Sequence, residues 1–190
     1  MTVAEIANEA VVAPATVFNY FPTKEDLFFF RLEAFGAQLV EAISSRPAGE
    51  PALVAFRRYL LRPSGLLAQL DAHDPQALKR LRTVHRVIAA SPALQAREQR
   101  ALAGYADALA AQLATENGAP ADDIRARVAA NALMGVQRML IDYVRKRVLA
   151  NDKPDRLAAD VRTVGKRAFA LLAEGLGDYA ANPRTGTSTS

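Results

Sequence analysis

Residues 15–27 read ATVFNYFPTKEDL and decide the fold of this chain. On helical spacing, the helix predicted over 14–20 has one apolar face, while the opposite face carries small or hydrogen-bonding side chains. The residues on that second face are Ala15, Thr16, Asn19 and Tyr20. A short helix predicted over 2–9 has its own apolar stripe, so the two helices are expected to pack together. Such a pair suits a helix-turn-helix whose second helix enters a DNA major groove, although any small helical hairpin shares this spacing.

Downstream of this pair the sequence predicts further helices. Residues 23–26 fit a capping box, in which the first and fourth residues bond each other's exposed backbone, so a long helix is expected to begin there. Alternating β-branched runs are lacking, and the predicted fold is therefore all-α. Pro63 and Gly65 are expected to kink or split the fourth helix. The predicted helices cover residues 2–9, 14–20, 24–43, 52–70, 76–89, 93–116, 122–149 and 155–179.

The composition of the 190 residues excludes several classes of protein. Hydrophobic residues make up 51% of the chain and charged residues 23%, which is typical of a globular protein. No run approaches the ~18 apolar residues of a membrane-spanning helix, so we expect a soluble, cytoplasmic protein without a membrane partner. Cysteine is absent and the histidines are His73 and His85, so neither a metal nor a cofactor is expected. A phosphate-binding loop is also lacking, and we do not expect an enzyme.

Two stretches of the chain, residues 2–7 (TVAEIA) and residues 15–27, resemble the tetracycline-repressor-like (TetR) family of bacterial transcription regulators. The resemblance implies a helix-turn-helix DNA-binding domain over 1–43 and a larger helical domain for ligand binding and dimerisation over 44–181. The remaining residues, 182–190, are expected to be a disordered tail. The resemblance further implies a homodimer that occupies a pseudo-palindromic operator in double-stranded DNA. This dimer would repress a promoter until a small-molecule effector binds.

The resemblance also assigns DNA contacts to individual residues. Thr2 would cap its helix and touch a phosphate, while Thr16 and Asn19 would face base edges or the adjacent backbone. Tyr20 and Lys24 would hold phosphate groups, and Lys24 stands at a helix N-terminus, where exposed N–H groups favour an anion. The predicted DNA-binding residues are Thr2, Ala15, Thr16, Asn19, Tyr20 and Lys24.

One departure from the family leaves an alternative open. Family members usually begin with a further helix, basic at its start, and this helix is expected to be absent from this chain. Residues 1–35 carry two basic and five acidic side chains, a net charge of −3, whereas the whole chain carries +4. Bulk charge therefore does not favour DNA binding by this segment. The alternative is a dimerising, ligand-binding module with little affinity for DNA.

For the C-terminal domain the resemblance implies that the last two helices form the dimer interface. An apolar stripe including Val128, Leu133 and Leu140 is expected to serve both this interface and the core. The basic run over 145–147 is expected to be a solvated helix end. By helical position, the candidates for binding the effector are Phe56, Tyr59, His85, Tyr105, Met134, Gln137 and Arg138.

Overall fold

The computed structural model describes residues 36–62 and 75–175. The helices predicted over 2–9 and 14–20, the first part of the helix over 24–43 and the tail over 182–190 lie outside these residues. Within the described ranges every regular element is an α-helix, which confirms the all-α class. The helices are α1 over 36–44, α2 over Ala52–Leu60, α3 over Pro75–Ala89, α4 over Pro92–Glu116, α5 over Ile124–Leu149 and α6 over Pro154–Glu174.

Capping side chains fix the starts of the two longest helices. The Ser91 side chain accepts a hydrogen bond from the backbone N–H of Leu94 at 3.4 Å, and Pro92 occupies the first turn of α4, as the Ser-Pro pair predicts. At the start of α5, the carboxylate of Asp123 accepts from the backbone N–H of Ala126 at 2.8 Å. Each cap satisfies a backbone donor that the helix itself leaves without a partner.

One predicted break is confirmed and one predicted helix end is wrong. Helix α2 ends at Leu60, as the break expected at Pro63 predicts, because Pro63 disfavours the helical conformation at Arg62 and cannot donate a backbone hydrogen bond. The rest of the helix predicted over 52–70 lies outside the described residues. Helix α6 ends at Glu174 and not at residue 179, because Gly175 adopts a φ of +87° that turns the chain out of the helix.

Helix α5 lies at the centre of the described bundle and packs against α3, α4 and α6, while α2 packs against α5 and α6. The core-facing residues of α5 recur at spacings of three and four residues. They therefore form one continuous stripe, which the other helices cover. Val128 lies off this stripe and is 61% exposed, so its predicted place beside Leu133 and Leu140 is wrong for the core. The largest fully buried side chains are Phe56, Phe169, Leu39, Ile43, Leu60, Leu102, Leu109, Met134, Leu140 and Leu157.

Helix α1 is fastened to the bundle at its C-terminal end by Arg46. The Arg46 guanidinium donates to the carbonyl of Ile43 at 2.7 Å and to the carbonyl of Glu50 at 2.8 Å. It also pairs with both carboxylate oxygens of Glu116, at the end of α4, at 3.0 and 2.5 Å. This hydrogen bond lowers the pKa of the Glu116 carboxyl. The turn between α1 and α2 is therefore held against α4.

None of the helices within 36–62 and 75–175 combines the length and the apolar character needed to cross a membrane.

Candidate ligand-binding site

The residues predicted to contact DNA, which are Thr2, Ala15, Thr16, Asn19, Tyr20 and Lys24, all lie outside the described residues. The candidate effector residues all lie within them. Phe56, Tyr59, Met134 and Gln137 are buried, and Tyr105 packs against the same core from α4. Phe56 also meets the ring of Phe169 on α6, with the ring centroids 5.9 Å apart. These four buried side chains are therefore part of the protein interior.

Gln137 is the polar side chain that stands out in this interior. It is 1% exposed and lies on the core-facing stripe of α5, one turn after Met134 and one turn before Leu140. Neither Oε1 nor Nε2 of its amide has a hydrogen-bond partner, and both atoms are buried. A buried amide without partners costs about 1–3 kcal/mol per unsatisfied group, so the site calls for a molecule that can both donate and accept.

Two arginines present further unsatisfied donors. The guanidinium of Arg62, just after α2, lies over the Tyr59 ring at 3.8 Å from its centroid, and its Nε is buried without a partner. The Nε of Arg138, which follows Gln137 on α5, is likewise buried without a partner. Burial raises the pKa of the Tyr59 hydroxyl, and the positive charge of Arg62 opposes this rise.

The packing of the helices brings these residues to the same level of the bundle. A Cβ built at Gly165 on α6 would lie 2.7 Å from Leu61 and 3.5 Å from Leu140, so the residue before Arg62 and the residue one turn after Gln137 meet at the same glycine. On the other side, Glu98 of α4 lies opposite Arg145 of α5. Because consecutive helices in this pair run antiparallel with equal rise per residue, this pairing places residue 105 alongside residue 138.

Two of the candidate residues, Tyr59 and Tyr105, also contact helix α1. The Tyr59 hydroxyl lies 3.3 Å from Oε1 of Gln38, within hydrogen-bond distance. Gly36 sits against the ring of Tyr105 so closely that a side chain there would overlap it. The candidate residues on α2 and α4 therefore touch the helix that leads directly from the N-terminal segment.

His85 lies elsewhere, on α3, where it faces Arg145, a residue about two helical turns along α5 from Gln137. It is 7% exposed, and Nε of Arg145 donates to its Nδ1 at 3.4 Å. Burial lowers the pKa of His85 to about 4, the charge of Arg145 acts in the same direction, and Asp142 opposes the shift. The imidazole is therefore neutral near pH 7, with a proton on Nε2.

Sequence reasoning missed two members of this second cluster. The guanidinium of Arg145 donates to both oxygens of Glu98, which is itself 5% exposed. The basic run over 145–147 is therefore not a solvated helix end, since Arg147 also pairs with Asp152 and Asp160. The burial of Glu98 could have been predicted from the sequence. It lies four residues after Leu94 and four residues before Leu102, on the apolar stripe of α4.

Gln137 is the candidate effector residue whose chemistry stands out, because its buried amide could both donate to and accept from a small molecule. Among the described residues, no group of histidine, aspartate and glutamate side chains is placed to hold a metal ion.

Comparisons with known families divide the sequence into two matched regions. Residues 1–29 match the family model described as bacterial regulatory proteins, tetR family. Residues 64–177, more than half of the chain, match the model described as MftR C-terminal domain. A search of curated proteins found no significant match.

Proposed function

We propose, since the chain belongs to the TetR family of bacterial regulatory proteins, that this DNA-binding transcriptional regulator is a repressor released from its operator by a small molecule. The proposal places DNA binding in residues 1–43 and ligand binding with dimerisation in residues 44–181. The observation that carries it is the buried amide of Gln137, whose two polar atoms have no partner in the protein. A ligand that bonds this amide stabilises the state that binds it.

The position of the site supports a link between ligand and DNA. Tyr59 and Tyr105 both contact α1, through Gln38 and Gly36 respectively. Any shift of these rings on ligand binding changes the contacts of the helix that joins the two domains. Release from DNA requires that the ligand prefer one arrangement of this helix over the other.

The exposed surface of α5 supports the proposed homodimer. Ile124 is 70% exposed and Val128 61% exposed, and Gly135 and Met139 continue the same face along the helix. On α6 the exposed positions include the small residues Ala159, Thr163 and Ala170. An apolar face on one helix beside a small-residue face on the next suits close packing against a second copy of the chain.

The test of DNA binding is a fluorescence-anisotropy titration of the promoter DNA beside the protein's own gene. It compares this chain with a form extended in frame by the upstream codons, after folding of both has been checked by circular dichroism. We expect binding to a pseudo-palindrome whose half-sites lie about one helical turn, ~34 Å, apart. Release on addition of a cell extract's small-molecule fraction would support the repressor role.

Single substitutions then test the proposed contacts. Tyr20→Ala and Lys24→Ala are expected to weaken binding to all DNA sequences, with a salt slope smaller by about one for the lysine, whereas Asn19→Ala also changes sequence preference. Arg57→Ala, which removes an exposed charge on α2, serves as the matched control. Unchanged binding in all three variants would contradict the groove assignment.

The alternative function is a dimerising ligand-binding module with little DNA affinity. The net charge of −3 over residues 1–35 favours it, because DNA binding usually requires a basic surface. Binding of neither form to any DNA, with the dimer intact, would establish this alternative over the repressor.

A further inference from the structure

We infer that the outer face of α3 is the docking surface for residues 24–35 of this chain, and that acidic side chains of this segment pair with basic side chains of the helix. Such an interface joins the two proposed domains whether or not the chain binds DNA or an effector. Three observations support it: the charge and exposure of α3, the direction of α1, and the matched spacing of side chains in the two segments. The outer face is formed by Lys79, Thr83, Val84, Arg86 and Val87.

Helix α3 carries basic charges and no acidic ones. Its four basic residues are Lys79, Arg80, Arg82 and Arg86. Lys79 and Arg86 are exposed and stand seven residues apart, so they lie on one stripe of the helix, two turns from each other. Among the carboxylates of the described region, none pairs with either side chain. Their charges are therefore open to a partner from outside that region.

Two exposed valines lie beside this basic stripe. Val84 is 37% exposed and Val87 is 42% exposed, and they stand three residues apart on the same outward side of the helix as Thr83. Apolar surface next to positive charge fits a partner that carries both apolar and acidic side chains.

Helix α1 runs in the same direction as α4. Gly36 lies against the ring of Tyr105, and Arg46, just after α1, pairs with Glu116. These two contacts are ten residues apart on the α1 side and eleven residues apart on α4, so the two segments advance together. The line of α1, extended before Gly36, therefore leads towards the first turns of α4.

Helix α3 lies at those first turns. The guanidinium of Arg145 donates to Glu98 of α4 and to His85 of α3, so the two helices meet at this level. Glu98 precedes Tyr105 by seven residues and lies on the same side of α4, about 10 Å along its axis. A chain that leaves Gly36 along the line of α1 therefore meets α3 after about two helical turns.

Residues 24–35 match the outer face of α3 in the spacing of their charges. Their sequence, KEDLFFFRLEAF, is predicted to be helical. Helix α3 joins α4 through a short turn and runs against it, so a segment that continues the line of α1 is antiparallel to α3. In that orientation Asp26 faces Arg86 while Glu33 faces Lys79, because the two acidic and the two basic residues are each seven positions apart.

The apolar side chains match in the same way. Leu27 and Phe30 are three residues apart, as are Val84 and Val87, and each apolar pair lies to the same side of its charged stripe. Antiparallel packing places Leu27 near Val87 and Phe30 near Val84. The interface then buries apolar surface between two ion pairs, which is a common composition for a contact between domains.

Disulfide trapping on the full chain tests the proposed interface, because the chain has no cysteine of its own. The facing pairs are Glu33→Cys with Lys79→Cys and Asp26→Cys with Arg86→Cys. Since a disulfide requires Cα atoms within about 7 Å of each other, we expect mild oxidation to close each pair within one chain in more than about half of the molecules. Mass spectrometry of the free thiols and a non-reducing gel measure the yield.

Glu33→Cys with Ala103→Cys is the matched control. Ala103 is exposed on the side of α4 opposite Tyr105, so these two thiols should stay reduced. Circular dichroism of every reduced variant verifies before oxidation that the helices are intact.

Charge reversal tests the ion pairs themselves. In the background of Glu33→Cys with Lys79→Cys, Arg86→Asp is expected to slow disulfide formation about threefold, since it sets two acidic side chains opposite each other. Adding Asp26→Arg should restore the original rate, and about 1 M salt should remove the difference. Arg57→Asp, at an exposed position of α2, is the matched control and should leave the rate unchanged.

Three results overturn the inference. One is that both facing pairs stay reduced while the helices are intact, and another is that the control pair closes as readily as the facing pairs. The third is a disulfide between two chains, which doubles the mass on the gel and assigns the outer face to a second copy. Intrachain disulfides in both facing pairs, with the rate restored by the reversed charge pair, support the docking of residues 24–35 on α3. These measurements use no DNA, so the DNA titration tests the repressor proposal separately.

Discussion

The Nη2 atom of Arg145 donates to both carboxylate oxygens of Glu98, at 2.7 and 2.6 Å, and so ties the last turns of α5 to the first turns of α4. Both side chains are largely removed from solvent. Removing a charge from water is costly, and each of these groups tolerates burial because the other neutralises it. The pair therefore fixes how the two longest helices align along their lengths. Its two residues are 47 positions apart in sequence.

The first prediction concerns breaking this pair. Arg145→Met leaves the Glu98 carboxylate buried without its partner and is expected to lower the free energy of unfolding by about 3–5 kcal/mol. The measurement is urea unfolding followed by circular dichroism at pH 7. Arg100→Met, at an exposed position of α4, is the control and should change stability by less than about 0.5 kcal/mol.

The double variant Arg145→Met with Glu98→Met distinguishes a lost pair from lost packing. Because both charges are then removed, we expect it to recover most of the stability lost in the single variant. A double variant as unstable as Arg145→Met would contradict this account of the pair.

The second prediction concerns the pH dependence caused by His85. Its pKa is about 4 in the folded protein and 6.5 as the ordinary value, so the unfolded chain binds more protons between these limits. The contribution of His85 to stability is complete above pH 6.5 and is lost as the pH falls towards 4, by up to about 3 kcal/mol. His85→Gln should remove this part of the decline, measured as the difference in unfolding free energy between the two proteins at several pH values. Parallel pH profiles would show that His85 titrates normally in the folded state.

The sequence predicted the helices of the described region well because their starts depend on local chemistry. Ser91 with Pro92 favours a helix start through groups within one turn of the chain, and the apolar spacing of α5 identifies its buried face without knowledge of its neighbours. The end of α6 was predicted too late, although Gly175 is itself a helix-ending signal, because glycine adopts a positive φ without strain.

The candidate site was predictable only in part, for a related reason. Helical position identified Gln137 and Met134 as facing the interior, since both lie on the stripe of a single helix. The pairing of Glu98 with Arg145 depends on how α4 and α5 pack, as does the place of Arg62 over the Tyr59 ring. Such contacts between distant residues are not encoded in any local pattern.

The third prediction compares two helical glycines. A Cβ at Gly36 of α1 would overlap the Tyr105 ring, whereas a Cβ at Gly104 of α4 would meet nothing within 4 Å. Gly36→Ala is therefore expected to destabilise the protein by about 1–3 kcal/mol despite the better helix propensity of alanine. Gly104→Ala should stabilise it by about 0.5–1 kcal/mol. Thermal unfolding measures both, and Gly36→Ala in a Tyr105→Ala background should cost less, because the overlap with the ring is gone.

The fourth prediction tests the proposed dimer face on α5. Val128 and Met139 are exposed apolar residues on the side of the helix that turns away from the core. If a second copy of the chain covers them, an aspartate at either position places an unpaired charge in the interface. We expect the wild-type chain to have twice its own mass in light scattering after size-exclusion chromatography, and Val128→Asp and Met139→Asp to be monomers.

Ala103→Asp, at an exposed position of α4 outside this face, is the matched control and should remain a dimer. Circular dichroism of the variants must show intact helices, since neither Val128 nor Met139 contributes to the buried core of the single chain. The variants also bear on DNA binding. Two half-sites on one operator are bound with the strength of a linked pair only while the dimer holds them together, so the monomeric variants should lose operator affinity much more than they lose stability. Dimers that survive both substitutions would place the interface on another surface of the chain.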